Sequence, residues 1–195
     1  MKNKYHKYVF DNNKFVGNFE EMYQNEKTDY DSWLQSDLRD YGYQLSLAIL
    51  NQYNFNTILD IGCGKGLFTS LLKKKNNTVT GWDISKTAIE KARVAYHDIA
   101  FGERDISESV FIPNNDIIIL REVLSYVKNW KDVLKRISKK TNYVFVSLDL
   151  PEHPIGFIKS FEELENELDK YFDMLVYVKI QTEGFQMLFL GKVKK

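Results

Sequence analysis

Only one cysteine, Cys63, occurs in the 195 residues, so no disulfide can form within the chain. Histidine is almost as scarce. His6, His97 and His153 lie far apart, with neither a Cys-x-x-Cys pair nor a His-x-x-x-His face, so no metal is expected. Neither sign of charge is in excess, since Lys+Arg and Asp+Glu both number 27. That balance removes the attraction on which binding to nucleic acid or an anionic membrane depends, and no nucleic-acid partner is expected. No apolar run approaches the length of a bilayer span, and residues 1–14 have no apolar core of signal-peptide length. No membrane partner and a cytoplasmic location are therefore expected. Internal repeats and low-complexity linkers are also missing.

What is present suits a packed core. Hydrophobic residues make up 44% and aromatics 14% of a chain whose length fits one domain. Apolar residues from Trp33 to Ile49 recur at helical intervals, consistent with one or two helices leading into a first strand at 57–61. Helical patterns follow at 86–96, 121–126 and 129–139, and the strands at 116–120 and 142–149 read as apolar on both faces, as buried parallel strands do. After a helix at 161–168, two strands flank Glu183-Gly184 as a hairpin closing one edge of the sheet.

The run Leu-Asp-Ile-Gly-Cys-Gly-Lys-Gly at 59–66 carries the most chemistry. It joins the acidic end of a strand, Asp60, to a turn in which Gly62, Gly64 and Gly66 let backbone amides approach a ligand closely. The third glycine falls one residue earlier than in the dinucleotide fingerprint. Cys63 sits in this turn as a small filler. A second strand ends at Asp83, roughly 20 residues on, the spacing at which a carboxylate reaches ribose hydroxyls. The segment 103–106 reads as the end of a third strand, where Asp105 can accept from an adenine amino group. Asp83, Ser85 and Asp105 are each also suited to capping a helix.

At these residues the chain resembles the class I S-adenosylmethionine-dependent methyltransferases, over about 45–150. Leu59 to Gly66 would be the first motif, Asp83-Ile84-Ser85 the second, Asp105-Ile106 the adenine-facing third, and Ile117 to Leu120 the fourth strand. The resemblance implies an α/β fold, a Rossmann-like doubly wound sheet of seven strands, mostly parallel with a C-terminal antiparallel hairpin. It implies S-adenosylmethionine lying across the carboxyl ends of the first four strands. On this reading 1–195 is one methyltransferase domain, with an N-terminal lid and helical segment at 1–53, a cofactor-binding core at 54–150 and a C-terminal sheet edge at 151–195.

A sulfonium methyl is already electrophilic, so positioning and exclusion of water come first, and a base is needed only for an acceptor that must lose a proton. Three residues are candidates on the acceptor side. Tyr126 falls where similar small-molecule enzymes carry a histidine, and would orient an acceptor or pack beneath it. Glu122 would bind a substrate amine or favour the start of a helix. His153, between Pro151 and Pro154, would accept a proton or sit in solvent. The aromatic amino-terminal segment has the composition of a lid, with Tyr30 and Trp33 as candidates to meet the sulfonium, or to pack the leading helix on the sheet. Arg39 is a candidate for the methionine carboxylate, or for an exposed helix ion pair.

No Asn/Asp-Pro-Pro-aromatic motif occurs at 121–124, which lowers the case for nucleobase modification. A small acceptor is expected, and within the family the chain looks most similar to enzymes of amino sugars or sugar conjugates, N- or O-methylated. The alternatives are a non-catalytic cofactor-binding subunit that supports a partner and a nicotinamide-dependent oxidoreductase.

Overall fold

The computed structural model describes residues 6–12, 14–26, 31–182 and 184–195, so Tyr5 and Tyr30 lie outside the described residues. The amino-terminal part has more structure than its mixed composition suggests. It runs through His6–Val9 (α1), a small hairpin of Phe10–Asp11 (β1) and Lys14–Phe15 (β2), and Phe19–Gln24 (α2). A 3-10 turn at Ser32–Leu34 and Tyr41–Leu50 (α3) complete it. A continuous α-helix does not extend through 31–40, because Trp33, inside the 3-10 turn, adopts a left-handed φ of 62°. Asp40 caps α3, its carboxylate accepting from the Tyr43 amide.

Seven strands form the main sheet. In chain order they are Thr57–Ile61 (β3), Thr78–Asp83 (β4), Ala100–Glu103 (β5), Asn115–Arg121 (β6), Thr141–Leu150 (β7), Phe172–Gln181 (β8) and Phe185–Val193 (β9), in the spatial order β5-β4-β3-β6-β7-β9-β8. The first five pair in parallel, and β9 runs antiparallel to both β7 and β8. The helices between strands are Leu67–Leu71 (α4), Lys86–Ala95 (α5), Trp130–Ser138 (α6) and Phe161–Leu168 (α7). Mostly parallel strands with an antiparallel hairpin at one end meet the expected fold class.

The strand pattern follows burial. Ile117, Ile118, Ile119 and Leu120 are all fully buried, with alternate residues facing two different clusters. Leu59, Ile118 and Leu120 pack with Val133, Leu134 and Ile137 of α6 and Leu164 of α7; Ile58, Ile117 and Ile119 pack with Tyr43 and Leu50 of α3 and Phe68 of α4. Each such side chain contributes about 1.5–3 kcal/mol relative to exposure. The last strand in sequence lies inside the sheet. The 186–191 stretch of β9 is buried throughout, whereas β8 exposes Asp173, Met174, Leu175, Tyr177 and Lys179 and takes the edge. Gly42 allows α3 to approach β9, since a Cβ there would stand 1.9 Å from Gln186 Oε1.

Two sequence expectations are corrected. The helix expected at 121–126 is a short 3-10 turn at Leu124–Tyr126, because Glu122 takes a left-handed φ of 57° immediately after the strand. Likewise, the third strand ends at Glu103, and Asp105 lies in the loop beyond it.

The connections place β4 on one side of β3 and β6 on the other. A crevice opens at such a reversal, outside the carboxyl ends of the strands.

Candidate active site

The glycine turn leaves β3 at this crevice. Gly62, Gly64 and Gly66 have φ of 76°, 53° and 83°, values that only glycine adopts without strain. The amides of Gly62 and Cys63 both donate to the Trp82 carbonyl, at 2.7 and 2.9 Å, which ties the turn to β4. Close approach is also required, because a Cβ on Gly62 would stand 2.1 Å from Val123 and one on Gly64 2.3 Å from Gln35. Cys63 is buried, and burial pushes its thiol well above the ordinary value, so it behaves as a filler.

Asp83 closes the turn from the neighbouring strand. One of its oxygens accepts from the Gly64 amide and the other from the Ser85 amide, both at 2.9 Å. Its carboxyl is raised by burial, against those hydrogen bonds. Ser85 supplies the N-cap of α5, the role that the sequence left open for several of these residues. Asp60, at the end of β3, is buried and accepts from the Thr69 hydroxyl at 2.6 Å. Burial drives its carboxyl up to about 7, although Thr69 and the charge of Arg121 oppose the shift. Arg121, the last residue of β6, lies with its guanidinium 4.6 Å from the Tyr43 ring and 5.4 Å from the Phe68 ring.

Other expected contacts fall at varied distances from the turn. Ile84 follows Asp83 and is 48% exposed at the edge of a surface hollow lined by Phe19, Glu20 and Gln24 of α2. Asp105, half-buried, accepts from the Ser107 amide at 2.8 Å. Ile106 and Leu120 are buried in the core cluster, so each offers backbone and apolar surface only. Arg39 is not brought to the crevice: its side chain is 89% exposed and pairs with Asp37 at 2.8 Å. That is the ion-pair alternative, formed in the turn before α3 because the two residues are only two positions apart.

On the acceptor side, Tyr126 is the centre of a ring cluster. Phe10, Phe15, Phe19 and Trp33 stand 5.5–6.1 Å from it, centroid to centroid, with Phe15 stacked at 16°. Phe157, in the loop after β7, meets Phe15 at 5.3 Å. Glu122 is at the crevice mouth with its carboxylate engaged. One oxygen accepts from the Ser147 hydroxyl and Gln186 Nε2, both at 2.8 Å, and the other from the Asp149 amide at 2.7 Å. His153 is exposed in its loop. Among the described residues no group of three or more acidic, histidine or cysteine side chains has metal-binding geometry.

Glu26, Asp31 and Gln35 of the amino-terminal segment touch the turn, through contacts that sequence reading missed. Gln35 accepts from the Lys65 amide at 2.9 Å and donates to the Tyr23 hydroxyl at 2.7 Å. Lys65, within the turn, pairs with Glu26 at 2.7 Å and also with Asp31, while Lys91 of α5 pairs with Glu26 at 2.7 Å. Glu20 accepts from Ser85, from the Thr87 amide and from the Thr87 hydroxyl, and these bonds outweigh its burial and hold it at about 2. The one signal in the sequence was the cation Lys65 among the glycines, which needed an acid from elsewhere.

Residues 30–184 match the family described as the methyltransferase domain, Methyltransf_23. Among solved structures, the N-methyltransferase NodS from Bradyrhizobium japonicum WM9, in complex with S-adenosyl-L-homocysteine, superposes with a TM-score of 0.74 at 18% identity, covering 95% of this chain and 100% of its own. Magnesium protoporphyrin IX methyltransferase (ChlM) from Synechocystis PCC 6803 with bound SAM gives 0.67 at 16% identity, covering 88% of each chain. The N-terminal domain of EvdMO1, in the presence of SAH and D-fucose, gives 0.63 at 12%, covering 78% of this chain and 82% of its own. Curated proteins contain no match to the chain. The chain belongs to the methyltransferase-domain family. This sets aside the nicotinamide-dependent alternative. S-adenosylmethionine is the cofactor of the class, and the residues fit it: a glycine cradle with no room for side chains, beside a buried acid at the adjoining strand end.

Proposed function

We propose that this protein transfers a methyl group from S-adenosylmethionine to the nitrogen of a small, ring-bearing acceptor, an amino sugar or sugar conjugate. The observation that carries this reading is the cluster of Phe10, Phe15, Phe19 and Trp33 around Tyr126, just beyond the end of β6. Aromatic faces accept the apolar face of a sugar ring, and they also attract the cationic amine. Nitrogen is favoured over oxygen because Glu122 already accepts three hydrogen bonds and His153 is exposed, which leaves these two candidates poorly placed to deprotonate a hydroxyl. A neutral amine attacks without a base. That NodS is an N-methyltransferase supports the choice of nitrogen, and the structure of the EvdMO1 N-terminal domain in the presence of D-fucose supports a sugar-type acceptor.

In this reading the bound cofactor supplies an electrophilic methyl on sulfur. The glycine turn holds the nucleoside, with Asp60 and Asp83 at the adjoining strand ends, Asp83 and Ile84 facing the ribose and adenine, and Asp105 and Ile106 bordering the base. Tyr126 and Trp33 orient the acceptor, and residues 19–26 and 31–35 keep water out. The test is a methyl-transfer assay with labelled donor on amino sugars and on the matching sugars that carry only hydroxyls. Label on the amine alone is expected; equal label on both overturns the choice of nitrogen. A non-catalytic subunit remains the second reading, favoured by the position of Gln35 directly over Gly64. It predicts no label in any acceptor.

A further inference from the structure

Arg121 stands at the crevice in an unusual state. The strand pairing sets Leu120 beside Ile61, so Arg121 lies level with Gly62, where the glycine turn begins. Its guanidinium rests on the rings of Tyr43 and Phe68, and its side chain is 21% exposed. A guanidinium carries five N–H donors. Its one ion pair among the described residues is a long one, 3.6 Å, to Asp40, whose side chain is 56% exposed and already caps α3. Nε of Arg121 is buried with no hydrogen-bond partner among the described residues, and so is the hydroxyl of Tyr43. Two adjacent buried polar atoms without partners are rare in folded chains and point to a group that completes them.

We infer that Arg121 and Tyr43 hold the carboxylate of the cofactor's methionine arm. The inference rests on the methyl-donor reading above. A planar fork and a phenol hydroxyl are donors suited to an oxyanion, and the carboxylate is the cofactor's only anionic group. The rings of Tyr43 and Phe68 fix the plane of the fork before the ligand arrives, which lowers the entropy lost on binding. Asp40 is the provisional partner that the carboxylate replaces. Arg39, the residue expected for this task, is turned to solvent.

Calorimetric titration separates the possibilities. S-adenosylhomocysteine keeps the whole amino-acid arm, and S-adenosyl-3-thiopropylamine lacks only its carboxylate. The wild-type protein should prefer the first by about 10- to 100-fold, the range of a charge-assisted bond. Arg121→Gln should remove most of that preference and leave the affinity for the decarboxylated ligand unchanged. Arg121→Lys, which keeps the charge and the stacked stem but not the fork, should retain part of it, and it carries the test if the glutamine variant fails to fold. A preference that survives unchanged in these variants overturns the inference and leaves an anionic acceptor as the partner of Arg121. Equal weakening of both ligands makes Arg121 a structural prop and also overturns it. If the wild-type protein binds neither ligand, the methyl-donor reading itself falls.

Discussion

Glu122 offers the sharpest test of the energetics at the crevice, because the structure makes it a clamp across three strands. Its carboxylate receives Ser147 from β7, Gln186 from β9 and the Asp149 amide, while its backbone sits at φ 57°. Glu122→Ala leaves those donors without an acceptor. Asp149 is exposed and regains water, but Ser147 and Gln186 are 1% and 6% exposed and do not. At about 1–3 kcal/mol for each buried donor left unpaired, the loss is about 3 kcal/mol. For a chain of this size that lowers Tm by about 6–12 °C. Glu122→Gly loses the same bonds but relieves the left-handed backbone, roughly 1–2 kcal/mol for a residue with a Cβ. The glycine variant should therefore melt about 2–8 °C above the alanine variant, the reverse of the usual order of these two residues. Differential scanning calorimetry on the three proteins measures both differences. A fall of under about 2 °C for Glu122→Ala, or a glycine variant less stable than alanine, would refute the clamp.

Three further outcomes are expected. Asp83→Ala should abolish labelling of acceptor and weaken S-adenosylhomocysteine binding at least tenfold, since the acid that joins Gly64 to Ser85 is gone; persistent turnover would remove Asp83 from the site. Gln35→Ala breaks the contacts with Lys65 and Tyr23, and stopped-flow association of S-adenosylhomocysteine should quicken by roughly tenfold; an unchanged rate means that Gln35 does not guard the turn. Asp60 has a folded pKa of about 7, above its ordinary 3.8, so its favourable contribution is complete below the lower value and is lost as pH rises through the higher one. Asp60→Asn, neutral throughout, should thus gain stability relative to wild type between about pH 4 and pH 8 in urea unfolding, and a flat difference across that range would contradict the burial argument.

The class I fold and the glycine turn were legible because their signals are local. A turn that needs positive φ at 62, 64 and 66 leaves glycine as the strain-free choice, and continuous apolar runs at β6 and β7 mark strands covered on both faces. Asp83 followed from its distance along the chain. Even the interior place of β9 was present in principle, since Phe185–Val193 is almost continuously apolar while β8 mixes Asp173, Lys179 and Gln181 with its apolar residues.

Other features needed the folded chain. Glu122 acts on residues 25 and 64 positions away, and no periodicity encodes which side chain will lie across a sheet. The short strand ending at Glu103 left Asp105 in a loop, because pairing with β4 stops at the Asp83–Glu103 pair. In the sequence Arg39 falls within the predicted leading helices and Arg121 at the junction of a predicted strand and helix. Only the packing of α3 against β6 turns one to solvent and lays the other on two aromatic rings. The sequence by itself determined the positions of the strands, the glycine turn and the acids that follow its flanking strands, since backbone conformation and burial period are properties of neighbouring residues. Tertiary structure alone decided which charges face the crevice and what covers it, because those contacts join segments that meet only when the sheet has formed.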